Sequence, residues 1–347
     1  MALPLAPSLL DINGKKVYQF KLINKNNTSV TISNYGAIIS SFIIKGPDGS
    51  DNDIVLGFAD PASYRNEHYL NNYPYFGAAI GRYAGRIKNA SFTIDNKRYE
   101  LNNNMGTDNL HGGIEGFDKK VWDVTFFDEK KKVLELSLIS EDGEEKFPGK
   151  VEVTLRYSLN DNNELSYEYT AVTNKATAVN LGQHTYFNLN NGKGNVRDHF
   201  VKINATRILE QGDNLINTGN YINVEKTKYD FRKPYRIGER LLPNEGYDQS
   251  FVADKSIATE TPGAEAWSDE SKIKLQVFTD QPIIHLYTGD GIAAIEGKGG
   301  TIYKAFSGFC LETQVHANAI NIPTFPDTVL RPGQVYQHKT TYRVLHA

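Results

Sequence analysis

The sequence has little of what covalent or metal cross-linking requires, because its 347 residues include a single cysteine, Cys310. One cysteine cannot form an internal disulfide, and no neighbour of Cys310 has the spacing of metal ligands. The eight histidines show no closely spaced pair with a third ligand. We therefore expect a buried, inert thiol, a reducing compartment and no metal site.

Long hydrophobic runs are missing as well, since no window of about 18 consecutive apolar residues occurs. Residues 1–10 are mildly apolar, but they contain Pro4 and Pro7, lack a basic stretch and lead into Asp11 rather than a cleavage site of small residues. These absences predict a protein with no membrane partner and no secretory signal, located in the cytoplasm.

Charge of neither sign dominates, because 38 Lys and Arg stand against 41 Asp and Glu, for a formal net charge of −3. No segment concentrates the basic residues into a stripe that could follow a phosphate backbone. We therefore expect no nucleic-acid partner.

Helical periodicity is scarce, whereas alternation of apolar and polar residues is the dominant pattern. In residues 151–157, for example, apolar side chains at the odd positions alternate with Glu, Thr and Arg. The predicted strands cover residues 18–22, 30–33, 39–44, 133–138, 151–157, 165–171, 273–278, 283–287 and 341–345. The best helix signal is short and begins where Asp60, a good N-cap, precedes Pro61.

The composition agrees with this pattern, since 20 Tyr and 17 Phe suit stacked sheets that bury aromatic side chains between them. Strand signals continue from residue 16 to residue 345 without a linker, a low-complexity tract or a repeat. We predict an all-β fold of stacked antiparallel sheets with few short helices. Length alone would allow two domains, but the uniform texture favours one domain over residues 1–347.

Two arginines, Arg82 and Arg86, lie four residues apart among glycine and alanine. Small neighbours indicate close packing, which would make at least one guanidinium a fixed donor to a carboxylate or a ligand hydroxyl. A structural salt bridge explains the pattern equally well.

Two histidines stand in settings that suggest a binding site. His111 precedes Gly112 and Gly113, and glycine lets backbone or a ligand approach an imidazole closely. His184 lies between amide and aromatic residues, where amides can fix an imidazole tautomer and aromatic rings can supply a flat surface for a ligand. Either histidine could instead be a structural residue whose hydrogen bonds are satisfied.

Two acids, Asp248 and Glu312, lie next to aromatic or apolar residues, which predicts that they are buried. A buried carboxyl can serve as a general base, and Glu312 is the better candidate. Residues 289–294 fit the loose dinucleotide template G-x-G-x-x-A, but no helix or βαβ pattern follows them. We interpret that segment as a turn between strands.

Five short segments occur in one order, and together they resemble the galactose mutarotase (aldose 1-epimerase) family. They are G-R-x-x-x-R-I at 81–87, L-H-G-G at 110–113, H-x-Y-F-N-L at 184–189, G-Y-D-x-x-F at 246–251 and L-E-T-Q at 311–314. Each motif is weak by itself, whereas the ordered set is specific. The resemblance extends from about residue 34 to residue 343.

The resemblance implies a β-supersandwich that converts the α and β anomers of a free hexose, such as galactose or glucose, without a cofactor. By position, His184 would be the general acid at the ring oxygen, and Glu312 the general base at the anomeric hydroxyl. His111, Arg86 and Asp248 would bind the substrate. A histidine with an ordinary pKa of about 6.5 can donate a proton near neutral pH. The expected partner is a small sugar, and the expected state is a monomer or weak homodimer.

The sequence departs from the family pattern at Gly85, at Gln183 and over residues 315–319, which casts doubt on substrate preference and not on proton transfer. Two other functions stay open. A relative acting on phosphorylated hexoses would need a basic subsite, and no added Lys/Arg cluster surrounds the motifs. A sugar-binding module without turnover would not need both His184 and Glu312.

Overall fold

The computed structural model describes residues 10–46, 49–254 and 261–346. Its largest sheet has nine strands, and every neighbouring pair is antiparallel. In sheet order the strands are Asp123–Asp128, Val133–Ser140, Val151–Leu159, Glu164–Thr173, Tyr336–His346, Ile273–Thr279, Ala264–Trp267, Phe200–Ile203 and Tyr235–Arg236. The alternation in the sequence becomes an alternation of burial, because the odd positions of Val151–Leu159 are buried and the even ones are not.

A second antiparallel sheet has six strands and carries much of the site described below. In sheet order its strands are Tyr186–Phe187, Phe309–Gln314, Ile283–Tyr287, Asp248–Ala253, Ala205–Gln211 and Asn217–Asn223. All six residues of Phe309–Gln314 are buried, so this strand is covered on both faces.

A third sheet of four antiparallel strands lies near the start of the described chain, and short ribbons complete the β structure. The four strands are Gln19–Ile23, Ser29–Ser33, Ile39–Lys45 and Asp51–Asp53. The paired ribbons are Leu10–Ile12 with Lys15–Val17, Ala78–Ile80 with Gly182–His184, Arg86–Ile87 with Asn109–Leu110, Ser91–Ile94 with Lys97–Glu100, Thr177–Ala178 with Val329–Leu330, and Ile295–Glu296 with Ile302–Tyr303. Every strand predicted from alternation is confirmed to within a few residues at its ends.

Helices are few and short in the described residues. The predicted helix start is confirmed, because the Asp60 side chain accepts a hydrogen bond from the Ala62 N–H at 2.9 Å and caps the 3₁₀ turn Pro61–Arg65. The α-helix Glu67–Asn72 follows directly. The other 3₁₀ turns are Lys88–Ala90, Phe117–Lys119, Glu144–Lys146, Val196–Asp198, Asp213–Leu215, Lys298–Gly300 and Ala319–Asn321.

One large cluster of buried hydrophobic side chains draws on all three sheets, so the sheets share a core. Some buried polar side chains hydrogen-bond between the sheets. The Tyr167 hydroxyl, for example, meets the Thr313 hydroxyl at 2.8 Å and joins the nine-stranded sheet to the six-stranded one. Burial of each large apolar side chain contributes about 1.5–3 kcal/mol, so the shared core holds the sheets together. The predicted all-β architecture is confirmed.

One further sequence prediction concerns a single segment. Residues 289–294 form irregular backbone after the strand Ile283–Tyr287 and not a helix, which confirms the turn interpretation. Across the described residues, no helix is long and apolar enough to cross a bilayer.

Candidate active site

A cleft of about 280 Å³ opens above the six-stranded sheet, close to the lower end of the size range of small-molecule sites. All five residues that the resemblance assigns to catalysis or binding line it, together with several tyrosines and amides. The five are Arg86, His111, His184, Asp248 and Glu312. They come from five separate segments of the chain, so the fold brings together residues that are far apart in the sequence.

The register of the six-stranded sheet places three polar residues side by side. Ser250 is opposite His285, and His285 is opposite Glu312, on three neighbouring strands. Directly opposed residues in a sheet point to the same face, so all three side chains point to the cleft side. Glu312 is 3% exposed, which confirms the predicted burial of this acid. The same prediction is wrong for Asp248, whose side chain is 26% exposed and only partly buried.

His184 ends the short strand Gly182–His184 and lies beside Glu312. Its Nε2 atom is 3.6 Å from the Glu312 carboxylate, and its Nδ1 atom is 3.4 Å from the sulfur of Cys310. The ring stacks between Tyr75 and Tyr186, with centroid distances of 5.7 and 5.0 Å. Cys310 is buried as predicted, but it contacts a candidate catalytic residue.

Burial changes the acidity of both predicted histidines. It lowers the pKa of His184 below the ordinary value, although the charge of Glu312 opposes this effect. Burial also lowers the pKa of His111, well below its usual range, and the neighbouring His184 and Arg86 act in the same direction. The expectation of an ordinary imidazole pKa is therefore wrong for His184, whose imidazolium form is a stronger acid than a free histidine.

His111 is held by the backbone of the first motif. The Gly85 N–H donates to Nδ1 of His111 at 3.2 Å, and the two rings of His111 and His184 meet edge to face at 5.4 Å. Gly112 has a φ of +93°, and a Cβ there would lie 2.1 Å from the Gly81 carbonyl oxygen. Glycine at this position therefore allows close approach of backbone, one of the two alternatives that the sequence left open.

Arg86 and Asp248 face each other across the cleft, with Nη2 and Oδ2 3.8 Å apart. The Asp248 carboxylate also contacts His285, whose Nε2 atom lies 3.1 Å from Oδ1. The Nδ1 atom of His285 lies 2.9 Å from the Ser250 hydroxyl. Burial would raise the pKa of Asp248, but the hydrogen bond and charge of His285 and the charge of Arg86 lower it. Asp248 is thus a carboxylate beside an arginine and a histidine whose pKa is raised by the carboxylate itself.

The two arginines of the first motif have different positions. Arg82 is 2% exposed and donates to the carbonyl oxygens of Pro148 and Gly149 and to Ser140, away from the cleft. Burial lowers its pKa to about 10. Arg82 is therefore a structural donor, although its partners are carbonyls and a hydroxyl and not the carboxylate expected of a salt bridge.

The amides beside His184 do not contact its ring, contrary to the role suggested from the sequence. Gln183 accepts from the hydroxyls of Tyr157 and Tyr169 and donates to the Gly77 carbonyl. Asn180 likewise bonds to backbone, at Ala84 and Val315. Both amides are needed inside the protein because buried backbone groups require partners.

His285 and Tyr75 are among the cleft residues that sequence reasoning missed. His285 sits within the apolar strand Ile283–Tyr287, where a single histidine carries no motif. Tyr75 has a φ of +59° and packs against both His111 and His184. Only the pairing of distant strands and the path of a loop bring these side chains to the cleft.

The cleft contains a cluster of metal-ligand type, because ligand atoms of His111, His184 and Glu312 lie within 4.8 Å of one another. Neutral His111 accepts from Gly85 at Nδ1, so its proton is on Nε2 and neither nitrogen has a free lone pair. As hydrogen-bonded here, the cluster suits proton transfer better than metal coordination.

The fold and the cleft together define a class: an all-β enzyme whose buried imidazole and carboxylate meet beside hydroxyl-binding side chains. The profile of the family described as "Aldose 1-epimerase" matches residues 18–343. The galactose mutarotase of Sus scrofa is 38% identical over 330 residues, which are 94% of this chain and 93% of that protein. That of Homo sapiens is 38% identical over 96% of both chains.

A solved structure agrees with these sequence matches. The crystal structure of the GalM/aldose epimerase homologue from C. elegans has a TM-score of 0.87 and 30% identity, and the match covers 95% of this chain and 99% of that one. The galactose 1-epimerase from Lactobacillus acidophilus has a TM-score of 0.84 at 26% identity, over 98% of each chain. The chain belongs to the aldose 1-epimerase family, and it is an isomerase that acts on carbohydrates.

Proposed function

We propose that this enzyme interconverts the α and β anomers of free hexoses such as D-galactose and D-glucose. Its relatives in Sus scrofa and Homo sapiens are galactose mutarotases, and a relative in Escherichia coli that is 32% identical is an aldose 1-epimerase. The observation that carries the proposal is the 3.6 Å approach of His184 Nε2 to the Glu312 carboxylate inside the cleft.

Mutarotation needs one acid and one base at two oxygens bonded to the same carbon. In our proposal, the Glu312 carboxylate removes the proton from the anomeric hydroxyl, and the His184 imidazolium gives its Nε2 proton to the ring oxygen. The C1–O5 bond breaks and an aldehyde forms at C1. After rotation about C1–C2, O5 attacks the other face of the aldehyde carbon and the C1–O5 bond forms again. As it does so, neutral His184 takes the proton back from the O5 hydroxyl and protonated Glu312 returns its proton to O1. No electrons are transferred.

The other predicted residues hold the sugar in position for these proton transfers. Arg86 and His111 donate hydrogen bonds, and the Asp248 carboxylate accepts them from sugar hydroxyls. Fixing the pose converts proton transfer into a step within one complex, which is a large part of what a positioned acid and base contribute. The faces of Tyr75 and Tyr186 offer flat surface next to His184.

The charges in the cleft favour a free sugar over a phosphorylated one. Among the described residues that line the cleft, Arg86 is the one Lys or Arg side chain, and it already faces Asp248. Asp248 and Glu312 would repel a dianionic phosphate. We infer that hexose phosphates are poor substrates.

Polarimetry tests the proposal. At micromolar concentration the protein should speed the change in optical rotation of freshly dissolved α-D-galactose and α-D-glucose, and glucose 6-phosphate should be turned over much more slowly. An unchanged rate for both free sugars would refute the mutarotase function. If calorimetry then showed sugar binding, the chain would be a binding module instead.

We also propose that the enzyme is cytoplasmic, forms one domain over residues 1–347 and works as a monomer or weak homodimer. A single buried thiol supports a reducing compartment. Analytical ultracentrifugation at micromolar concentration checks the oligomeric state, and a tetramer would contradict it.

A further inference from the structure

His285 is held at both ring nitrogens within the cleft wall. Its Nε2 atom contacts the Asp248 carboxylate at 3.1 Å, and its Nδ1 atom contacts the Ser250 hydroxyl at 2.9 Å. The register fixes this arrangement, since Ser250 is directly opposite His285 on the neighbouring strand. The imidazole therefore has little freedom to rotate.

Of the two basic side chains beside Asp248, Arg86 and His285, His285 is the one within hydrogen-bond distance. Arg86 is 3.8 Å from the other carboxylate oxygen, too far for a hydrogen bond, so it attracts Asp248 without fixing its orientation. Within the described residues, no other side chain makes a hydrogen bond to the Asp248 carboxylate. The direction in which Asp248 points thus depends on His285.

We propose that His285 is the positioning residue for Asp248: it orients the carboxylate that binds sugar hydroxyls, and so sets the affinity for the substrate. This inference rests on the proposed function, in which Asp248 binds the sugar. Neither Asp248 nor His285 is placed at the reacting atoms, so His285 acts through Asp248 and not on C1.

The arrangement holds in both protonation states of His285. The Ser250 hydroxyl can donate to a neutral Nδ1 or accept from a protonated one, while Nε2–H donates to Asp248 in either case. The charged groups that face His285 are Asp248, Glu312 and Arg86, with His184 and His111 across the cleft. Burial disfavours the imidazolium, but the hydrogen bond and charge of Asp248 outweigh it and raise the pKa of His285.

The test compares His285→Ala with His285→Gln. We expect the KM and the dissociation constant for galactose to be about 10- to 100-fold higher in His285→Ala, because the loss of a charge-assisted hydrogen bond lowers binding affinity by a factor of that size. Because the acid and base are untouched, kcat should fall much less. His285→Gln keeps an N–H donor for Asp248 and should restore most of the affinity. Thermal unfolding shows whether each variant is folded.

A double-mutant cycle separates action through Asp248 from a general packing effect. In an Asp248→Asn background, His285→Ala should cost little further affinity. Equal costs in both backgrounds, or a wild-type affinity in His285→Ala, would overturn the proposal. If His285→Ala does not fold, His285→Asn makes the same test, because its shorter amide cannot reach Asp248.

Calorimetric affinity for galactose is measured without turnover, so the two proposals can fail separately. Binding without anomer exchange in the wild type would refute the mutarotase function and still allow the cycle to test His285. Normal exchange with an unaffected affinity in His285→Ala would refute only the positioning role.

Discussion

The Nε2 atom of His184 lies 3.6 Å from Oε1 of Glu312, and each side chain exposes 6% or less of its surface. An imidazole and a carboxylate so placed can protonate and deprotonate two oxygens of one hemiacetal carbon. They share a site from which most water is excluded, which strengthens their electrostatic coupling.

Loss of either member of this pair should therefore abolish most of the activity. We expect Glu312→Gln and His184→Ala to lower kcat by about 10²- to 10⁴-fold, because positioned acid–base groups contribute factors of that size. KM should change less. Polarimetric kinetics measure both constants, and circular dichroism monitors the fold. Glu100→Gln and His68→Ala are matched controls at exposed positions and should retain full activity.

Glu312 also supports the protonated form of its partner. Burial lowers the pKa of His184 and the negative charge of Glu312 opposes it, so removal of that charge should lower the pKa further. An NMR titration of the His184 imidazole in the wild type and in Glu312→Gln measures the shift. A pKa that rises or stays constant in the variant would show that the two groups are not coupled as described.

The two arginines of the first motif provide a matched pair. Arg82→Met should lower the free energy of unfolding by about 3–5 kcal/mol, because it leaves several buried carbonyls without a donor. Arg86→Met should change unfolding by less than about 1 kcal/mol, as expected for a partly exposed ion pair, but it should raise KM. Denaturant titration and polarimetry distinguish the outcomes, and a reversal of the pattern would contradict the assignment.

Asp118 should make stability depend on pH. Burial raises its pKa from 3.8 to about 6, against a smaller opposing effect of the Tyr73 hydroxyl. The folded state then binds the proton more tightly than the unfolded state, so stability falls as the pH rises from about 4 to about 6 and is level above that. Each pKa unit corresponds to 1.36 kcal/mol, which gives a loss of about 3 kcal/mol.

Asp118→Asn removes this titration while keeping the shape of the side chain. We expect the variant to be more stable than the wild type at pH 7 and to lack the decline between pH 4 and 6 that Asp118 causes. Urea unfolding at several pH values measures both. Parallel pH profiles for the two proteins would mean that Asp118 does not titrate in this range.

Alternation in the sequence predicted nine of the strands, because a half-buried strand must place every second side chain in the core. It did not predict Phe309–Gln314, because that strand is buried on both faces. The five motifs identified five of the residues that line the cleft, and their roles came from the resemblance and not from local sequence patterns. Gly and Ala surround both Arg82 and Arg86, so nothing local tells which one reaches the cleft. His285 could not be predicted for another reason. Strand register places it opposite Ser250 and Glu312 on the neighbouring strands, and register is a long-range property that no local sequence pattern encodes.

The same register has a consequence for how activity appears during folding. Ser250, His285 and Glu312 occupy opposed positions on three adjacent strands, so slipping any one strand by a residue would turn its polar group toward the opposite face. Native pairing of these three strands is therefore a condition for activity, although the acid His184 comes from a separate ribbon. In refolding experiments, turnover should not recover before native β structure is acquired.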